Sequence, residues 1–132
     1  MLFRSDEIQL LFDSSTTAIG HIRGERVRGL ALAAGARLAV LPELPTFIES
    51  GVAGFEAGVG HGMLVSASTP PERVAILNRA INTALADSEY RKQMGDLGVV
   101  LVGGTPEQFR AYLAAERKKW GEIIQKRGIK VD

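Results

Sequence analysis

The stretch Leu41–Pro71 constrains the fold of this chain more than any other part of it. Thr46 and Glu49 stand three residues apart in the T-x-x-E spacing of a capping box, in which each residue's side chain bonds the other's backbone N–H. Gly51 follows at the position where a helix ends in left-handed backbone. This spacing predicts a short helix held at both ends.

A second T-x-x-E spacing closes the same stretch, at Thr69-Pro70-Pro71-Glu72. It predicts another capping box, with proline in the first turn of a long helix. Between the two boxes, the glycine-spaced run Phe55–Ala67 is partly β-like. The centre of the chain therefore separates an N-terminal half from a helical C-terminal half.

The two halves differ in their hydrophobic pattern. Short apolar runs typical of buried strands occur at Ile8–Phe12 and Val27–Ala33, and between them a helix stops at Gly24; this order predicts a right-handed βαβ unit. The pattern of the C-terminal half predicts two helices, Pro70–Asp87 and Ser88–Leu97, followed by a strand at Val99–Val102. A last helix begins at Thr105, where Thr105 and Gln108 form its cap, and ends near Gly128.

Composition excludes several function classes. The 132 residues suffice for one modest domain, and a net charge of +1 with dispersed Lys and Arg gives no reason to expect a nucleic-acid partner. There is no cysteine, so a disulfide framework or a thiol nucleophile is excluded. No run approaches the length of a membrane helix, and Met1–Arg4 is too short for a secretory signal.

Asp13–Thr17, where a helix follows a strand, is the strongest candidate for binding chemistry. A helix N-terminus offers unpaired N–H groups and partial positive charge to a carboxylate or phosphate, and the hydroxyls of Ser14, Ser15, Thr16 and Thr17 add donors. Two interpretations stay open: an anion site, or a capped helix start with solvated hydroxyls. For Asp13 we expect a role in ordering the loop, by accepting backbone N–H bonds.

Other chemistry finds little support. His21 and His61 have no Cys or carboxylate at ligand spacing, so we expect no metal and no other cofactor. Gly58-Val59-Gly60-His61-Gly62 lacks the Lys-Ser/Thr and the helix of a phosphate loop. No nucleophile or acid–base pair stands out, so we do not expect an enzyme.

Several motifs resemble the substrate-binding receptors of tripartite tricarboxylate transporters, the Bug-type receptors. Leu41-Pro42-Glu43-Leu44-Pro45-Thr46, with Glu49-Ser50-Gly51-Val52 and Gly54-Phe55-Glu56-Ala57 after it, is similar to that family's signature L-P-D-V-P-T-x-x-E-x-G-x-P-G-F/Y-E. Thr69 to Ile81 is similar to the family's T-P-P-E-x-V-x-x-L-N-x-x-I, and Phe12-Asp13-Ser14 to its F-D-N/S. The likeness covers roughly residues 8–132.

The resemblance implies an α/β fold, a partial type II periplasmic-binding-protein fold made of the end of lobe two and the C-terminal return to lobe one. Residues 1–58 would complete lobe two, and residues 59–132 would form the crossing and the helical part of lobe one. Asp13, Ser14, Ser15, Thr16 and Thr17 would face the ligand. Gly58, Gly60, His61 and Gly62 would form the interlobe crossing, although Gly60 and His61 stand where the family has aromatic residues.

The function implied is capture of a small organic carboxylate for a membrane permease in the periplasm. Receptors of this family are about twice this length and carry an export signal upstream, so we expect a C-terminal part that binds dicarboxylates weakly or not at all. Unpaired sheet edges predict a homodimer or higher oligomer, with or without exchanged C-terminal helices. The alternative is a truncated stand-alone module for protein–protein interaction or oligomerisation, without ligand binding.

Overall fold

The computed structural model describes residues 8–130, and its regular secondary structure there is helical. The helices are α1 (Ser15–Arg23), α2 (Pro71–Ala86), α3 (Ser88–Asp96) and α4 (Pro106–Arg127). Within this range the only β pairing is an isolated parallel bridge between Leu32 and Thr46. All the predicted helices after the central stretch are confirmed, with bounds within one or two residues.

The predicted strands are not formed in the described part of the chain. Ile8–Phe12, Val27–Ala33 and Val99–Val102 contain no ladder, and several of their side chains are open to solvent, such as Phe12 at 68% and Val102 at 88%. A strand is held by hydrogen bonds to a neighbouring strand, so an apolar run without a partner stays irregular.

The chain divides into two compact units. The first contains residues 8–61 and Ser88–Leu101, and the second contains Gly62–Asp87 and residues 102–130. The assignment of residues 1–58 and 59–132 to two lobes stays a prediction.

The first unit has a very small core. Ile19 of α1 is 5% exposed, Thr46 is 1% exposed, and Gly98 is buried beside Ile19. Leu32 joins the Thr46 segment through its backbone: its N–H donates to Pro45 O at 2.8 Å, and its carbonyl accepts from Phe47 N–H at 2.9 Å.

The first predicted capping box is confirmed. Thr46 N–H donates to Glu49 Oε2 at 2.7 Å, and Glu49 N–H donates to Thr46 Oγ1 at 3.1 Å. The segment makes a single turn, in which Ser50 N–H donates to Thr46 O at 3.0 Å. Gly51 ends it with φ +93°, the backbone region that favours glycine.

The box predicted at Thr69 is wrong. The N-cap of α2 is Pro70, with φ −55° and ψ 140°, and no side chain caps the helix. A residue before proline is kept out of the α region, so Pro70, which precedes Pro71, cannot begin the helix. The helix starts one residue later than the Thr69 box requires.

None of the described residues of the second unit is buried, and polar contacts join α2 to the turn before α4. Asn82 of α2 donates to Gly104 O at 2.9 Å and accepts from Gly104 N–H at 2.8 Å, and Asn78 also donates to that carbonyl. Asn82 therefore joins α2 to the backbone of Gly104. Its amide faces the turn that leads into α4.

Both ends of α4 follow the sequence prediction. Thr105 Oγ1 accepts from Gln108 N–H at 3.2 Å, and Thr105 N–H donates to Gln108 Oε1 at 2.8 Å. Gly128 ends the helix in left-handed backbone with φ +61°. No helix in residues 8–130 is long and apolar enough to cross a membrane.

Candidate functional site

The start of α1 is the centre of the candidate site. Ser14 is the N-cap in extended backbone, and its carbonyl accepts from the N–H groups of Thr17 at 3.1 Å and Ala18 at 2.9 Å. Its side chain makes no capping bond to the helix. The N–H groups of Ser15 and Thr16 lie in the first turn and have no acceptor within the helix, so they can donate to a ligand or to water.

Three hydroxyls meet on the outer side of this helix start. Ser14 Oγ lies 3.0 Å from Thr16 Oγ1 and 2.9 Å from Thr17 Oγ1, and all three residues are exposed. Asp13 Oδ1 accepts from Ser14 N–H at 2.8 Å. That contact is of the kind expected for Asp13, and it uses one backbone donor of the loop; the ordering role stays a prediction.

Ser15 differs from the other predicted site residues. Its Oγ donates to Gly98 O at 3.0 Å in a partly buried contact between residues 83 positions apart. Gly98 has φ +72°, and a Cβ built on it would collide with Ile19 Cδ1. The structure therefore brings Asp13, Ser14, Thr16 and Thr17 together at the surface and turns Ser15 towards the core of its unit.

An aromatic cluster adjoins Asp13 along the chain, and sequence reasoning missed it. The ring of Phe12 stacks on Phe47 with centroids 6.0 Å apart, and Phe47 lies 4.6 Å from Phe55. Because Phe12 directly precedes Asp13, the cluster contacts the chain just before the hydroxyls. The available signal was the occurrence of Phe47 within the capped turn and of Phe55 soon after its end at Gly51.

The predicted crossing segment is irregular and exposed. Gly58, Gly60 and His61 have no regular secondary structure, and a Cβ at Gly58 would meet no atom within 4 Å. At Gly62 a Cβ would collide with the ring of Phe109, so this glycine permits a close approach. The division between the two units falls between His61 and Gly62. The crossing role of these residues stays a prediction.

A cavity of about 240 Å³ lies in the first unit. Its lining comes from three segments: Arg37, Leu38 and Ala39; Arg91 and Gly95; and Gly98, Val99, Val100 and Leu101. Arg37 is already engaged, since its Nε donates to both carboxylate oxygens of Glu49 at 3.0 Å and one terminal nitrogen donates to Pro42 O at 2.8 Å. None of the predicted ligand residues lines this cavity.

In the turn Thr46–Gly51, the pKa of Glu49 is shifted by its hydrogen bonds. Its pKa lies below the ordinary value, first because Thr46 N–H donates to the carboxylate and next because Arg37 does. Glu49 therefore stays ionised at neutral pH and holds the turn and Arg37 together. Among residues 8–130 no group of three or more His, Cys, Asp or Glu side chains is placed to hold a metal ion.

Comparison with known proteins shows which proteins the chain is similar to. Residues 3–129 match the model of the tripartite tricarboxylate transporter family receptor. The chain is 29% identical to protein BugT of Bordetella pertussis over 90% of its own length and 36% of BugT's. It is 30% identical to a protein of the clcB-clcD intergenic region of Pseudomonas knackmussii, over 89% of this chain and 70% of that one.

Two solved structures give the same result. The periplasmic binding protein BugD superposes with a TM-score of 0.68 at 27% identity, over 98% of this chain and 52% of BugD. MatC from Rhodopseudomonas palustris, solved with bound malate, superposes with a TM-score of 0.70 at 30% identity, over 83% of this chain and 38% of MatC. The predicted fold class, part of a periplasmic binding protein, is confirmed. The chain spans about a third of the length of BugT.

Proposed function

Because the chain belongs to the tripartite tricarboxylate transporter receptor family, we propose that it forms the carboxylate-binding C-terminal part of a solute receptor. The resemblance inferred from the sequence motifs is confirmed. Members of this family are receptors and not enzymes, so the prediction of a binding protein rather than a catalyst is also confirmed. The ligand class, the permease that receives the ligand and the periplasmic location of this chain are parts of the proposal.

The exposed start of α1 is the observation that carries the proposal. Thr16 and Thr17 present hydroxyls beside a helix N-terminus that no side chain caps, so a carboxylate can accept from hydroxyl and backbone donors together. Ser15 anchors this helix start to Gly98, which leaves the three outer hydroxyls in a fixed arrangement. The malate bound in MatC makes malate the natural first probe.

Titration of the ¹⁵N-labelled chain with malate, followed by NMR, tests the proposal. We expect the amide signals of residues 14–17 to shift most, with weak, millimolar-range saturation, because one helix start supplies few of a ligand's contacts. The neutral diamide of malate is the matched control ligand, and it should cause no such shifts. The double variant Thr16→Val, Thr17→Val should weaken the response while the remaining spectrum stays unchanged.

Two results would count against this assignment. Signals that move elsewhere, or equally with malate and its diamide, would remove the carboxylate site from α1. Tight, stoichiometric binding would contradict the expected weakness and would mean that this chain supplies the whole site.

Self-association is the second part of the proposal, and the exposed apolar side chains favour it. In the second unit Leu64 is 76% exposed and Ile76 is 62% exposed, and none of that unit's described residues is buried. Large exposed apolar surfaces mark interaction sites. We therefore expect a homo-oligomer, and gel filtration that shows only a monomer at micromolar concentration would contradict it. The same surfaces favour an interaction module if no ligand binds.

A further inference from the structure

We draw no further inference here: the strongest candidate, the cavity of the first unit that Arg37, Gly95 of α3 and the segment 98–101 line, carries none because Arg37 is already bonded to Glu49 and nothing in the structure shows what covers it.

Discussion

Gly98 links α3 to the candidate site, and replacing it with alanine tests that link. The new Cβ would collide with Ile19 Cδ1 and lie 3.1 Å from Ser15 Cβ and 3.4 Å from Leu38 Cδ1. Two costs follow. Left-handed backbone, at φ +72°, costs an L-residue about 1–2 kcal/mol, and a methyl group forced into an occupied site costs about 1–3 kcal/mol.

An effect on the unfolded chain opposes these costs. Alanine restricts the unfolded chain more than glycine does, which stabilises the folded state by about 0.4–1 kcal/mol. The net loss expected for Gly98→Ala is therefore about 1–5 kcal/mol, a large share of the roughly 5–15 kcal/mol typical of a domain. Because Ser15 bonds Gly98 O, the start of α1 should also shift.

Urea unfolding followed by circular dichroism measures the loss, and Gly95→Ala provides the matched control. Gly95 lies on α3, and a Cβ there would meet no atom within 4 Å. Alanine in that helix should stabilise the chain by about 0.5–1 kcal/mol. The two variants make the same chemical change three residues apart and should move the unfolding midpoint in opposite directions. A Gly98→Ala chain as stable as wild type would refute the packing described around Ile19.

Three further predictions concern local contacts. Folding lowers the pKa of Glu49 from its ordinary value of 4.5, so as the pH falls below about 4.5 the unfolded chain binds a proton before the folded chain does. The Tm of the wild-type chain should therefore drop between neutral pH and about pH 3, and the Tm of Glu49→Gln should drop less over the same range. Asn82→Ala should cost about 1–3 kcal/mol in urea unfolding and Asn78→Ala less, because Asn82 makes both an accepted and a donated bond to the turn before α4; equal losses would contradict this. Thr105→Ala should cost about 1 kcal/mol, whereas Thr69→Ala, which removes no capping bond, should leave the unfolding midpoint nearly unchanged.

The features that sequence predicted correctly are those set by a few neighbouring residues. The capping boxes at Thr46 and Thr105 and the left-handed ends at Gly51 and Gly128 depend on spacings of three to five residues, and each forms. The box at Thr69 failed for an equally local reason, the steric effect of one proline on the residue before it.

Features that depend on distant partners could not be predicted in the same way. The strand-like run at Val99–Val102 has the right composition, but pairing needs a neighbour that the local sequence does not specify. Ser15 looked like one hydroxyl among four, and only its contact with Gly98 distinguishes it. The Phe12 cluster likewise joins residues that lie on either side of α1 in the sequence.

The hydrogen bond between Ser15 and Gly98 also affects how the chain folds during translation. These residues are 83 positions apart, so the bond that anchors the start of α1 cannot form until Gly98 has emerged from the ribosome. Nascent chains stalled before that residue will present the hydroxyls without their anchor. A short peptide carrying α1 alone will therefore lack the anchor on which the proposed anion capture depends.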